Sequence, residues 1–311
     1  MKVFLTGGNG MVGRNILESG RAAGHEIIAP GSRDLDLTDR AATRKRIAEA
    51  APDIIIHSAG RVGGIQANIA NPVGFLVDNL DMGTSILLAA RDAGVPRVLN
   101  LGSSCMYPHA ARNPLREEDV LTGELEPTNE GYALAKVVTS RLGDYLTQTA
   151  EGMSCKTLIP CNLYGLHDKF DPAVSHLVPA IIRKMHEAAR DNAPTVEMWG
   201  DGMARREFMY SADLADAVWE CVERFDEVPQ LLNLGIGRDY TINEYYQTAA
   251  EVVGWSGSFV HDLSKPTGMK QKLVSDERQK AFGWQPATSL REGMARTYAH
   301  FLDVTGQPSI A

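Results

Sequence analysis

Cysteine is scarce in this chain. Among 311 residues there are only Cys105, Cys155, Cys161 and Cys221, with no C-x-x-C pair and no histidine beside them at metal-ligand spacing. A structural zinc site is therefore not expected, and no other metal either. So large a chain with so little cysteine points to a reducing compartment. Basic residues are also in deficit: 31 Lys and Arg against 39 Asp and Glu leave a net charge of −8. That balance argues against a nucleic-acid partner, although a local basic pocket can still hold phosphates. No apolar run reaches the length of a bilayer span, and the chain opens at once on a short strand with no longer signal-like segment behind it. A cytoplasmic protein without a membrane partner is expected.

What the chain does have is a 44% hydrophobic content, enough for one large domain and a smaller lobe. Short apolar runs at Lys2–Thr6, Glu26–Ala29, Asp53–His57, Arg97–Leu101 and Lys156–Pro160 read as strands. Between them, Asn15–Ala23, Arg40–Ala50, Phe75–Ala93 and Gly131–Ala150 read as helices. This alternation predicts an α/β fold with a doubly wound parallel sheet that binds ligands at the carboxyl ends of its strands. After Tyr164 the rhythm breaks. A loop over Leu166–Val178 leads to a helix at Pro179–Arg190, short strands at Val196–Trp199 and Arg206–Tyr210, a helix at Asp213–Arg224 and a strand at Leu231–Leu234. The tail is read as mainly helical, over Tyr240–Val253 and Leu290–Val304. Residues 1–165, with 206–250 returning, are expected to form the dinucleotide domain; 166–205 and 251–311 form an interwoven substrate lobe.

Gly7, Gly10 and Gly13 stand directly after the first strand. Glycines there permit a tight turn and close approach of a pyrophosphate, which the next helix meets with free N–H groups and the positive end of its dipole. At the end of the second strand an NAD enzyme usually places an acid; here Arg33 comes first, and it suits the 2′-phosphate of NADP. Arg33 is equally readable as a solvated loop charge. Asp36 and Leu37 are placed to flank the adenine, and Ser58-Ala59-Gly60 to pass close to the adenosine phosphates. Tyr132 and Lys136 lie four apart on one helix, so both project from one face. The ammonium is expected to draw the phenol below its ordinary pKa of about 10, making Tyr132 a proton donor to a carbonyl while Lys136 also holds the nicotinamide ribose. Ser103, ending the fourth strand, is placed to polarise the same carbonyl.

This set resembles the extended short-chain dehydrogenase/reductase family over almost the whole chain. The resemblance implies a Rossmann-type domain, a small C-terminal lobe for sugar nucleotides, and a homodimer formed through the two long helices. Within the family it is similar to the epimerase-reductases of GDP-linked 4-keto-6-deoxyhexoses. The segments that carry this are 62–65 (VGGI), 102–108 (GSSCMYP), 125–130 (LEPTNE), 162–165 (NLYG) and 206–208 (REF). Related 4,6-dehydratases carry Asp-Glu where this chain has Cys105-Met106. The implied chemistry is epimerisation at C3 and C5 beside the ketone, followed by NADPH reduction at C4. Cys105 would remove the ring protons and His176, in the loop 173–176, would return them.

The resemblance spreads the cofactor contacts over Gly7, Gly8, Asn9, Gly10, Met11, Val12 and Gly13. It adds Leu101, Gly102, Ser103, Ser104, Lys136, Pro160, Cys161, Asn162, Leu163 and His176. It assigns Ser104, Cys105, Asn162, Val178, Lys184, Trp199, Arg206 and Ser275 to the substrate. Arg206 suits a pyrophosphate oxygen. Trp199 reads either as a surface for base or sugar or as a core aromatic. The chain departs from the family in having Gly8-Asn9 in place of His-Arg, which leaves Arg33 as the 2′-phosphate ligand. The acid after Lys272 is also displaced by one position, to Asp276. Three other readings share these features: an enzyme inverting C5 alone, a non-epimerising reductase, which should lack Cys105 and His176, and a cofactor-sensing protein without turnover, which usually loses the Tyr or the Lys.

Overall fold

The computed structural model describes every residue except 173, 265–268 and 311. Strand β1 (Lys2–Thr6) runs into the glycine turn and helix α1 (Met11–Glu18), capped by Gly10. Strand β2 (Glu26–Ile28) follows, then α2 (Arg40–Ala50), whose N-terminus is capped by the Asp39 carboxylate, and β3 (Ile54–His57). A short helix α3 (Ile65–Ala70) precedes α4 (Pro72–Asp92), where Asn71 caps and Pro72 presets the first turn. Next come β4 (Arg97–Leu101), α5 (Glu130–Thr149), β5 (Ser154–Pro160) and β6 (Asn162–Tyr164). The second half holds α6 (Leu177–Arg190), β7 (Thr195–Trp199), β8 (Arg205–Arg206), β9 (Phe208–Tyr210), α7 (Ser211–Glu223), β10 (Leu231–Leu234) and β11 (Tyr240–Thr241). It ends with α8 (Ile242–Val253), β12 (Ser258–Asp262), β13 (Gln271–Lys272), α9 (Glu277–Phe282) and α10 (Leu290–Thr305).

Six strands form one parallel sheet in the order β10-β5-β4-β3-β1-β2. The order reverses beside β1, so the carboxyl ends of β1, β3 and β4 open into a crevice at the switch point. Ile54, Ile55 and Ile56 are fully buried because the sheet is covered on both faces. Val3, Leu5, Ile54 and Ile56 pack into one cluster with α7, while Phe4, Ile55 and Val98 pack into the other with α2 and α4. A third cluster, built from α6, α8, α10 and the loop residue Phe170, is the core of the second lobe.

The structure differs from the sequence expectation in several places. Helix α1 starts at Met11, not Asn15, because the glycine turn itself delivers the chain into helical geometry; residues 20–24 form a separate 3-10 turn capped by Ser19. The strand expected over 206–210 is split at the buried Glu207, because Arg205–Arg206 pairs with β11 and β13 whereas Phe208–Tyr210 pairs with β6. Tyr240–Thr241 pairs with β8, and α8 starts only at Ile242, opened by the Thr241–Glu244 capping box. The lobe boundary also shifts. Tyr245, Ala249 and Val253 of α8 pack in the second-lobe core, whereas Phe282 and Trp284, expected in that lobe, pack against the sheet. Finally, α4 is 21 residues long and, by length and composition, apolar enough to cross a bilayer, contrary to expectation. It nonetheless pairs Asp78 with Arg61 and Asp81 with Arg40, and it buries Ile86, Leu87 and Ala90 against the sheet.

Candidate active site

A cleft of about 1570 Å³ lies between the sheet's carboxyl edge and the second lobe. Single-ligand pockets usually measure about 300–1,000 Å³, so this one has room for two sizeable ligands side by side. At one end the glycine turn forms its floor. Gly7 has φ +73°, and a Cβ there would stand 2.8 Å from the Ala59 backbone. A Cβ on Gly13 would stand 2.2 Å from the Gly7 carbonyl oxygen, so only glycine lets the first turn of α1 approach the loop. The ends of β1 and β3 are locked together there. Ser58 Oγ donates to the Thr6 carbonyl at 2.6 Å, and the Ala59 N–H donates to Thr6 Oγ1 at 3.1 Å. Close-approach glycines ahead of a helix N-terminus, with no side chain to fill the cradle, fit a dinucleotide pyrophosphate.

All seven residues from Gly7 to Gly13 line the cleft, as do Asp36, Leu37 and the segment Ser58–Gly60. Arg33 does not. It sits exposed in the turn after β2, where Gly31 and Ser32 reach the cleft wall in its place.

Midway along the cleft, Leu101, Gly102, Ser103, Ser104, Tyr132, Lys136, Pro160, Cys161, Asn162 and Leu163 meet on the wall. Lys136 is buried; its ammonium donates to the Leu101 carbonyl at 2.9 Å and lies 5.9 Å from the centre of the Tyr132 ring. Burial lowers its pKa to about 8. The expected depression of Tyr132 is not found. Burial, with the Cys105 sulfur close by, raises the phenol, and its hydrogen bond with Ser103 only partly offsets this. The ammonium is too remote, and too engaged with Leu101, to reverse the desolvation. The phenol is therefore held firmly in the protonated form, the form a proton donor needs.

Cys105 and His176 line the same cleft. Cys105 is half-buried in the middle of a 3-10 turn, Ser104–Met106, that Ser103 caps, Ser103 Oγ accepting the Cys105 N–H at 3.2 Å. Its neighbour Met106 is fully buried and points the other way, into the core. Two donors reach the sulfur, Asn129 Nδ2 at 3.3 Å and Lys272 Nζ at 3.5 Å. Neither was assigned a role from the sequence. Lys272 lies 167 positions from Cys105, and no local pattern links them. His176 is the N-cap residue of α6 and caps no backbone N–H with its ring, which leaves the ring to the cleft. Burial, and secondarily Lys169, hold its pKa below the ordinary value. The imidazolium is thereby scarcer but a stronger acid. Ala173, in the same loop, lies outside the described residues.

At the far end Lys184, Trp199 and Arg206 line the cleft. Trp199 is 55% exposed at the end of β7, which removes its reading as a core aromatic. Lys184 donates to the Glu197 carbonyl, and Arg206 to the Arg205 carbonyl at 2.8 Å. Val178 and Ser275 are not on the wall. Val178 is fully buried with Ile181, Ile182 and Met185 on the core face of α6. Ser275 is buried with its backbone spent on Leu115 and Asn233. Among the described residues no cluster of acids, histidines or cysteines suits a metal.

The sequence profile of the NAD dependent epimerase/dehydratase family matches residues 3–237. The chain is 48% identical to a GDP-L-colitose synthase of Yersinia pseudotuberculosis, over 97% of this chain and 98% of that protein. It is 46% identical to a GDP-L-fucose synthase of Azorhizobium caulinodans, over 97% and 96%. Among solved structures, a GDP-D-glycero-L-gluco-heptose synthase from Campylobacter jejuni, determined in the presence of NADPH, superposes with a TM-score of 0.88 at 27% identity, over 97% of this chain and 98% of that one.

Proposed function

The chain belongs to the NAD dependent epimerase/dehydratase family, and on that premise we propose that it carries out the GDP-L-fucose synthase reaction: inversion of C3 and C5 in GDP-4-keto-6-deoxy-D-mannose, then NADPH-dependent reduction at C4. The observation behind this reading is that Cys105 and His176 share one cleft with Ser103, Tyr132 and Lys136. A ketone held against Tyr132 and Ser103 acidifies the C–H bonds on either side. Cys105 takes each proton, the electron pair moves to the ketone oxygen, and the Tyr132 and Ser103 hydroxyls stabilise the enolate. His176 returns a proton from the opposite face, and exchange with solvent resets the thiol and the imidazole before the second inversion. Gly7–Gly13 would hold the pyrophosphate of NADPH and Lys136 its nicotinamide ribose, and the cofactor when bound would supply the hydride for C4; Tyr132 gives the C4 oxygen its proton. Arg206 and Lys184 hold the diphosphate end, with Trp199 packing on base or sugar.

One experiment tests this: incubation with GDP-4-keto-6-deoxy-D-mannose and NADPH in deuterated water, with the product identified by NMR. GDP-L-fucose carrying deuterium at both C3 and C5 is expected. An unepimerised product of the rhamnose type would overturn the epimerase half. The similarity to the colitose enzyme, 48% against 46%, favours a second reading in which a 3-deoxy substrate is inverted at C5 alone. Faster turnover of that substrate, with a single deuterium incorporated, would select it.

The homodimer belongs to the same proposal. Val73 and Val77 on α4, and Leu134, Val138 and Tyr145 on α5, are exposed at helical spacing and form an apolar stripe across two packed helices. Two copies packed through these stripes would make a four-helix bundle, and a cytoplasmic dimer is the expected species in light scattering.

A further inference from the structure

Cys105 does not face the cleft alone. Lys272 Nζ and Asn129 Nδ2 both point donors at its sulfur, at 3.5 and 3.3 Å. The ammonium can only donate. A sulfur met by two donors, one of them charged, is arranged as an acceptor.

The position of Lys272 is fixed from several sides. Strand β13 pairs in parallel with β8. On one side of Lys272, Gln271 Nε2 donates to Asp239 Oδ2 at 2.6 Å. On the other, the Leu273 N–H donates to Asn113 Oδ1 at 2.7 Å and its carbonyl accepts the Leu115 N–H at 2.8 Å. One residue further, the Val274 N–H donates to Glu207 Oε2 at 2.9 Å. Three segments, 205–207, 239 and 113–115, thus hold this strand and the residues just after it, so that its lysine reaches the thiol. Such bracing is wasted on a solvated surface charge.

We propose that Lys272 is the fixed cation that holds Cys105 as a thiolate base. What the thiolate then does rests on the function proposed above; the pair itself rests on geometry alone. In the epimerising step the C–H bond beside the ketone breaks, an S–H bond forms on Cys105, and the electron pair passes to the ketone oxygen. Lys272 exchanges no proton and stays an ammonium throughout. The other groups facing the sulfur are neutral: Asn129 from the turn before α5, and the Tyr132 phenol from α5. Lys272 is the one cation that contacts the sulfur among the described residues. Its loss should leave the thiol with no charged partner.

The test is alkylation of Cys105 by iodoacetamide, followed by peptide mass spectrometry in wild type, Lys272→Met, Lys272→Gln and Lys272→Arg. Only thiolate reacts, so the rate at pH 7 reports its fraction. The Met and Gln variants should react about tenfold more slowly at pH 7, and the Arg variant should recover most of the rate. The difference should vanish at pH 10, where ionisation no longer depends on a partner. Unchanged rates at pH 7, or a slowing that persists at pH 10, would overturn the proposal. Cys155 and Cys221 are buried away from the cleft, so their labelling reports any unfolded variant, and the comparison then passes to the Arg and Gln proteins. No substrate is used. Slowed alkylation together with absent ring-proton exchange in wild type would therefore sink the epimerase reading and leave the ion pair standing.

Discussion

Glu207 invites a test that separates two opposing costs. It is 1% exposed and stands where what would be one strand splits. Oε1 accepts the Ile236 and Gly237 N–H groups at 2.7 and 3.2 Å, and Oε2 accepts that of Val274 at 2.9 Å. In Glu207→Gln one oxygen becomes an NH2, which must face a backbone N–H on one side or the other. A buried donor left without an acceptor costs about 1–3 kcal/mol. Against this, burial raises the Glu207 pKa from about 4.5 to about 7, more than the three N–H bonds lower it. Because the folded value lies above the unfolded one, the stability contributed by this group is complete below pH 4.5 and is lost as pH rises through 7. The loss amounts to roughly 3 kcal/mol in all, of which about 2 kcal/mol falls between pH 5.5 and 8.5. The amide has no such dependence. Urea unfolding at the two pH values should therefore show the variant less stable at pH 5.5, with the gap to wild type closing by about 2 kcal/mol at pH 8.5. A gap that stays constant or widens as pH rises would refute the reasoning, because it would mean that the N–H bonds, and not desolvation, govern the carboxyl.

Tyr132→Phe removes the proton donor while keeping the ring, so NADPH oxidation should fall by about 10²–10⁴ in kcat, as read at 340 nm. Cys105→Ser should slow ring-proton exchange with deuterated solvent at least about 100-fold without abolishing NADPH binding; exchange at the native rate would remove cysteine as the base. Gly13→Ala drives a Cβ to 2.2 Å from the Gly7 carbonyl oxygen. The turn must then open by about 1 Å, and NADPH affinity in a fluorescence titration should drop about a hundredfold. His176→Gln should impair epimerisation more than hydride transfer, so that an unepimerised reduced sugar accumulates in the product NMR.

The first half of the fold is legible because its signals are local. Arg40–Ala50 and Arg97–Leu101 lie where the pattern places them, the helix because one face packs on the sheet and the strand because it is buried on both. The ends of elements were less legible where they depend on distant partners. The strand is interrupted at Glu207 because its two halves pair with different partners, β11 and β13 on one side and β6 on the other, which no window of sequence contains. The same holds for the site. The glycine turn and the Tyr132–Lys136 pair are read from spacing, whereas Lys272 reaches Cys105 only once two remote segments fold together. Arg33 is read from its position after the second strand; it stands exposed beside Gly31 and Ser32 of the cleft wall, and position in the sequence does not fix where so long a side chain reaches.

The chain passes repeatedly between its two lobes: β10 returns to the sheet after α6 and β7, α8 leaves it again, and Trp284 packs back beneath it before α10 departs once more. Neither lobe can therefore be cut out as a continuous piece, nor exchanged whole with that of a relative by joining at a single point. New sugar specificities in such an architecture have to arise by substitution within the cleft's walls, because the threading forbids trading one module for another.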